Sequence, residues 1–361
     1  MKNYPACCMI MITLLSSCGV NKNSPAYSWE TVDNLSADIV PCDSVLLGLG
    51  TLHMYNDILF THNPQNENWH FLYLKSQNDS LKFGNRFLGM GKGPMEALRA
   101  EVSFLESNNT MYIVTGGIQV SAFKCYTVNL DDESNITNTK TWSSFDFPTG
   151  NSIAYSPIAD QGGFLTISMS DTSKMFGYYD IANSTIRYAD IEYPKHENAS
   201  NRLKGMVYSG EIRNRPGHQQ FVYSSYYGQY VIILELENGE LTNHKIIYNN
   251  LPEFDITDDG LNFRLKETVL YGFYPQVTEK YIYLFDCLSS VKDARARKPE
   301  LSGTVLVFDW DGNPVRKLII DQYIIRFTVD KNDEYLYFTP YYGEENEDVI
   351  LRAKLKLNDK Q

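Results

Sequence analysis

An apolar or aromatic triplet recurs six times along the 361 residues: Ile58-Leu59-Phe60, Met111-Tyr112-Ile113, Phe164-Leu165-Thr166, Phe221-Val222-Tyr223, Tyr281-Ile282-Tyr283 and Tyr335-Leu336-Tyr337. The starts lie 53, 53, 57, 60 and 54 residues apart. Self-similarity at such a period marks a repeat architecture, in which each unit buries its apolar surface against its neighbours. The triplets are rich in aromatic and β-branched side chains, which suit pleated, buried strands.

The fifth copy shows the plan of one unit. Residues 271–279 read as a first strand, 281–285 as a second that is apolar on both faces, 305–308 as a third and 315–321 as a fourth. Asp311-Gly312-Asn313 is a hairpin signal between the last two. Arg316 and Lys317 give the fourth strand the charge expected at a sheet edge. The other copies follow suit, with 58–61, 69–74 and 81–88 in the first, 111–115, 120–128 and 141–147 in the second, 164–169, 176–181 and 185–193 in the third, and 220–224, 230–236 and 241–248 in the fourth. Helical patterns of ten or more residues are nearly absent. The sixth copy has room for three strands only, 323–329, 335–338 and 349–357, so its sheet stays open unless another segment supplies a fourth. Residues 39–47, ahead of the first copy, are the natural source. The expectation is all-β: a six-bladed β-propeller with four antiparallel strands per blade, its ring closed by an N-terminal strand that completes the last blade.

Composition narrows the partners. A hydrophobic content of 43% supports a packed core, and the formal net charge of −12 disfavours nucleic acid and anionic lipid surfaces. The first residues have the form of a secretory signal: Lys2, an apolar run over 6–15, then small residues. The run is too short to span a bilayer. Leu15-Ser16-Ser17-Cys18 resembles the bacterial lipobox, which implies cleavage before Cys18 and a lipid on its thiol. The expected organisation is a signal peptide over 1–17, an anchor and polar tether over 18–30, and one propeller domain over 31–361. Position 19 is Gly rather than the Asp of some inner-membrane lipoproteins, and no acidic export cluster follows. An outer-membrane lipoprotein facing the periplasm is expected ahead of surface display. Besides Cys18, the mature chain keeps Cys42, Cys125 and Cys287, an odd set expected to serve as small buried hydrophobes.

The segment from Arg86 through Gly89, Gly91, Gly93 and Pro94 to Glu96 resembles the G-x-G-x-G-P-x-E stretch of TolB-like six-bladed propeller lipoproteins of Bacteroidetes. Tyr208-Ser209-Gly210-Glu211-Ile212, followed by Pro216-Gly217 and Phe221-Val222-Tyr223, is similar to the middle of that family. The resemblance covers nearly the full chain and implies fold and cell address, not an activity. Met95 departs from it, standing where Gly is frequent. From the residues themselves, 89–96 reads as an inter-blade turn, with glycines for unusual backbone angles and Pro94 to stiffen the exit.

In a propeller the loops between second and third strands share a face with the inter-blade connections. That face is the expected binding surface. It would carry Tyr226 and Tyr227, the basic Lys292, Arg295 and Arg297, then Tyr341, Tyr342 and the acidic Glu344. Rigid amphipathic rings suit peptide or carbohydrate contact. The six histidines form no HxH or HExxH pattern, and no nucleophile elbow is present. Glu96, Asp160 and Asn262 are possible inward-facing ligands, without a supporting motif. The reading is a non-catalytic envelope binding module, a monomer that needs no cofactor and has no nucleic-acid partner. It touches the membrane through the lipid alone and binds a protein, peptide or glycan. No catalytic or metal-binding residues are assigned. The alternative is a metal-dependent hydrolase or lyase acting in the central channel.

Overall fold

The second strand of every blade is apolar on both faces because it lies between two neighbouring sheets. The computed structural model describes residues 27–357 except 47, 63–67, 78, 94, 106–108, 117–122, 148–151, 159–161, 169–171, 238–239, 297–301 and 341–347. It is a six-bladed propeller with four-stranded antiparallel blades, as the repeat predicts. Blade 1 comprises Leu52–Tyr55, Ile58–His62, Trp69–Gln77 and Ser80–Met90. Blade 2 is Arg99–Leu105, Thr110–Gly116, Phe123–Asn129 and Ser143–Phe147; blade 3 is Ser152–Ile158, Gly163–Ser168, Phe176–Asp180 and Thr185–Tyr188. Blade 4 is Gly210–Asn214, Gln220–Ser225, Gln229–Glu237 and Glu240–Asn250; blade 5 is Tyr274–Val277, Tyr281–Asp286, Thr304–Asp309 and Pro314–Ile320. Blade 6 has Ile324–Val329, Tyr335–Pro340 and Leu351–Lys354 from the C-terminal part of the chain.

All six triplets fall in second strands, and their alternation explains the ring. Phe221 and Tyr223 pack with Leu165 and Ile167 of blade 3, while Val222 between them packs with Ile282 and Leu284 of blade 5. Tyr283 then turns to blade 6, against Phe327 and Leu336. Phe60 meets Met111 and Ile113 of blade 2, whereas Leu59 meets Tyr337 of blade 6. Tyr112 meets Phe164 edge to face, with ring centroids 5.1 Å apart, across the interface of blades 2 and 3. Each interface thus has its own apolar cluster. Fully burying one such side chain stabilises by about 1.5–3 kcal/mol.

The ring closes where the two ends of the chain meet, with one change from expectation. Ala37–Ile39 pairs antiparallel with Leu351–Lys354 and completes blade 6. The closing strand therefore starts earlier than 39–47. Residues 40–43 instead cross from blade 6 to blade 1, where Val40 N donates to Ile350 O (2.9 Å) and Leu81 N on the outer strand of blade 1 donates to Pro41 O (2.8 Å), before Leu46 bridges back to Asp348. Two prolyl and small-residue positions after Ile39, Pro41 and Ser44, suit such a crossing better than a long ladder.

The fourth strand of blade 5 is not an edge. Val32–Leu35 adds to it in parallel as a fifth strand. Arg316, read as edge charge, is 9% exposed and donates to Asp33 at 2.8 Å. The tether assignment also ends early: Tyr27 donates through its hydroxyl to Ile247 O (2.7 Å), and Tyr27 and Trp29 both pack edge-on against Phe308. Residues 27–46 therefore run around the perimeter from blade 4 to blade 1 as a strap. Residues 1–26, with the signal segment and Cys18, lie outside the described residues.

Local insertions were not visible in the pattern. A hairpin (Phe254–Ile256 and Phe263–Leu265) and two short helices, α1 (Asn201–Val207) and α2 (Val291–Arg295), decorate blades 3 to 5 on one face. No helix among the described residues is long and apolar enough to cross a membrane. Cys125 is fully buried between blades 2 and 3, and burial pushes its thiol up; Cys42 and Cys287 are half-buried.

Deleting residues 27–39 should abolish cooperative unfolding, because blade 6 loses its outer strand and the ring its clasp. Asp33→Ala should lower stability by about 2 kcal/mol by leaving the Arg316 guanidinium uncompensated. A urea titration followed by tyrosine fluorescence reads both; an unchanged midpoint for Asp33→Ala would show that the strap's ion pair contributes nothing.

Candidate functional site

The first strand of each blade lines the central channel, so its inward positions face water and need not be apolar. Blade 1 contributes His53, blade 2 Arg99 and Glu101, blade 3 Tyr155 and blade 4 Glu211 and Arg213. With Tyr226, His62 and His70 they line a cavity of about 350 Å³. A smaller cavity of about 80 Å³ continues beneath it, sharing His53, Val102, Ile212 and Arg213. The upper cavity opens on the face that carries the loops between second and third strands, since His62 and His70 flank one such loop and Tyr226 sits on another.

Period-two alternation puts residues i and i+2 on the same side of a strand. It pairs Arg99 with Glu101 on blade 2 (2.5 Å) and Arg213 with Glu211 on blade 4 (2.5 Å). The first pair is open to solvent at the mouth, with side chains 71% and 51% exposed; the second is largely enclosed, at 21% and 19%. The order of charge is reversed between the two strands, and the register on the second strands, Glu101 opposite Val114 and Glu211 opposite Ser224, sets the two carboxylates at equivalent levels of their blades. Arg326 of blade 6 lies over the ring of Tyr274 on blade 5, 5.9 Å from its centroid.

Two phenols hang between these charges. Burial, reinforced by Glu101, raises the Tyr155 hydroxyl well above its usual range. Burial, with Glu211 and Glu101, does the same to Tyr226. Tyr226 still keeps 38% of its surface exposed. Both therefore stay protonated hydrogen-bond donors. The Tyr226 loop is rigidly held: Gly272 N donates to Tyr226 O (2.9 Å), Gly228 N to Leu270 O (2.8 Å), and Ser225 Oγ to Tyr227 O (2.9 Å). A Cβ at Gly272 would come within 1.6 Å of Ser225 O, so only glycine lets the two loops close on each other.

The expected face residues divide. Tyr226 turns into the channel, while Tyr227 turns outward and packs against Phe263 and Tyr271, with ring centroids 6.1 Å away in each case. Lys292 and Arg295 lie on α2, which has a capping box formed by Ser290 and Asp293. Both are exposed; Arg295 reaches Glu267 at 3.9 Å and not the channel. Arg297, Tyr341, Tyr342 and Glu344 lie outside the described residues, as do Pro94 and Asp160.

The glycine-rich turn also has a defined place. Glu96–Ala97 folds back in parallel on Gly89–Met90, and the Glu96 carboxylate accepts from Gly93 N at 2.8 Å. A Cβ at Gly91 would lie 2.0 Å from Glu96 Oε2. Glu96 thus closes its own turn and is not an inward ligand. Asn262 sits in the inserted hairpin, bonded to Thr257 Oγ1 (3.2 Å), and is no channel ligand either. Met95 adopts φ +63°, a left-handed angle. Glycine is favoured there for backbone reasons, independent of any ligand. Ala97 O accepts from His70 Nε2 (2.7 Å), which ties this turn to the cavity wall. Among the described residues, no three His, Cys, Asp or Glu side chains come together as a metal-binding group.

Apart from Tyr226, sequence reading missed the channel residues. Their signal was faint but present: Arg-Ala-Glu at 99–101 and Glu-Ile-Arg at 211–213, charges at alternate positions of an innermost strand.

A family model described as TolB-like 6-blade propeller-like matches residues 51–332. The chain belongs to this family. Among solved structures, a candidate exported protein of Bacteroides fragilis NCTC 9343 is similar, with a TM-score of 0.53 and 12% identity over 89% of this chain and 95% of that one. A member of the DUF4221 family from Bacteroides vulgatus ATCC 8482 is comparable, with a TM-score of 0.52 and 13% identity over 90% and 98%. At such identities the likeness is one of fold. No curated protein matches the sequence.

Burial, then Arg213 and His62, bring the His53 imidazole down from 6.5 to about 3. His62 is lowered as well, by burial first and His70 second. Both are neutral in the folded protein at neutral pH. The unfolded chain binds protons from about pH 6.5 downward while the folded one does not. Stability from these groups is therefore complete above about pH 6.5 and is lost as the pH falls from there toward 3. The urea midpoint should drop between pH 7 and 4.5, and His53→Gln should reduce that drop; equal drops would exclude His53 as a source.

Proposed function

We propose that the protein is an exported, non-catalytic binding module that holds a protein, peptide or glycan partner at its channel mouth. The observation that carries this reading is the open-mouthed cavity that Tyr226 helps to line. It is of a size suited to a ligand or an inserted side chain, and its walls are built from rigid strands. Its charged groups are paired with each other in advance, so they orient a partner without leaving a buried charge unmatched. Tyr226 contributes an aromatic ring to the cavity lining, the type of residue that dominates binding energy at interfaces. The α2 cations Lys292 and Arg295 lie on the same decorated side and would meet only a partner larger than the cavity.

The address follows from the first residues. Leu15-Ser16-Ser17-Cys18 supports removal of 1–17 and lipidation of Cys18, with the propeller on the periplasmic side of the outer membrane. One of the two similar Bacteroides proteins is itself described as a candidate exported protein, in keeping with this reading. Lipid attachment has a direct measurement: Cys18→Ala should eliminate incorporation of labelled palmitate and leave the protein in the soluble envelope fraction. Persisting label would refute the assignment.

For the binding site, a photo-reactive benzoylphenylalanine in place of Tyr226 should yield a discrete cross-linked species in intact cells. The same group in place of Tyr188, on the outer strand of blade 3, should not. Equal adducts from both positions, or none from either with the protein present at normal level, would remove the channel mouth from consideration.

A further inference from the structure

The walls of the upper cavity carry information about the chemistry of what fills it. Each of the two guanidinium groups there is paired with a carboxylate of its own strand, so the two arginines and two glutamates balance. The neighbouring imidazoles of His53 and His62 add no charge at neutral pH, since burial keeps both neutral. A ligand with net charge would leave an uncompensated charge in a confined space, which is costly. An ammonium or carboxylate ligand would also have to separate an ion pair already closed at 2.5 Å.

A neutral hydroxyl needs no such exchange. A guanidinium bonded to a carboxylate still presents N–H donors on its outer edge, and the carboxylate still has an oxygen to accept. Side by side, they match a pair of adjacent hydroxyls, each of which can accept from one and donate to the other. Just behind the cavity surface, unmet capacity of both kinds remains in two of the lining residues. His70, 2% exposed, has Nε2 on Ala97 O and Nδ1 without a partner, and Arg213 Nε is buried without an acceptor. Water filling the cavity serves donors and acceptors alike, and a ligand that displaces it must do both. The phenol rings of Tyr155 and Tyr226 add flat apolar faces between the polar groups.

We propose that the channel mouth takes a neutral polyhydroxylated ligand, a saccharide unit, with its adjacent hydroxyls across the Arg213–Glu211 and Arg99–Glu101 pairs and its C–H face on Tyr226. This rests on the reading of the mouth as a binding site and names the ligand class for it.

Saturation-transfer NMR on the purified full-length chain tests the assignment. The probes are glucose, galactose, mannose, N-acetylglucosamine and their β1,4-linked disaccharides, set against glycine, glutamate and dialanine. At least one saccharide should show transfer, with Tyr226→Ala weakening its Kd at least tenfold. Tyr226 is on a partly exposed loop, so this variant should keep the parental melting temperature, and Tyr188→Ala serves as a remote control with unchanged Kd. Transfer to the zwitterions alone, transfer to none of the probes, or saccharide binding indifferent to Tyr226→Ala would each overturn the proposal. If cross-linking at position 226 succeeds while no saccharide binds, the ligand class falls and the binding module stands. If both fail, the channel mouth falls with it.

Discussion

Each blade has two apolar faces, and that constraint governs the rest of the molecule. A blade with Phe221 and Tyr223 on one side and Val222 on the other cannot satisfy both sides alone. Nor can a row of blades, because its ends would expose faces such as that of Leu59 or Tyr337. Only a closed ring buries every face. Closure must then be held against the entropy of joining distant parts of the chain, which rises slowly with loop length and is met by local contacts at the seam. Here the seam is sewn by the strap, which bonds to the outer strands of blades 4 and 5, supplies that of blade 6, and bonds to that of blade 1. The mostly enclosed Arg316–Asp33 pair fixes its register on blade 5, where a parallel two-strand contact alone would be weak.

The same constraint explains what the sequence discloses and what it hides. The second strands were legible because double burial removes polar residues from consecutive positions, leaving triplets such as Tyr281-Ile282-Tyr283. The need for a closing strand was legible from the deficit of the sixth repeat. Its position was not, because Ala37–Ile39 is only three residues long and two of them are exposed, so nothing in its pattern separates it from the residues after it. Arg316 misled for a related reason. A buried arginine and an edge arginine look alike in sequence, and the distinction lies in Asp33, 283 residues away.

The candidate site was harder still, for a reason that lies in the geometry. The inter-blade clusters are repeated six times, whereas the channel lining is built once, from one or two residues per blade that differ from blade to blade: His53, Glu101, Tyr155 and Arg213. Repetition is what made the fold readable, and the candidate site is where the repeat is broken. The pair Tyr226-Tyr227 shows the limit clearly. Both rings were expected on one face, yet strand-like alternation at the loop sends one into the channel and the other onto Phe263 of the inserted hairpin.

That division also couples the decoration of blades 4 and 5 to the channel. The hairpin and the segment after it hold Tyr227 and Tyr271, and through Gly272 and Gly228 they fix the backbone of Tyr226. On the binding reading proposed above, a ring placed this firmly would lose little freedom on meeting a ligand, because its ordering is met in the folding of the loop. The glycine-rich turn works in the same way on the opposite wall, where Ala97 O orients His70. Two irregular segments of unrelated sequence thus brace the mouth from blade 1 and from blade 4. The regular part of the fold supplies the channel, and the irregular parts give it one preferred side.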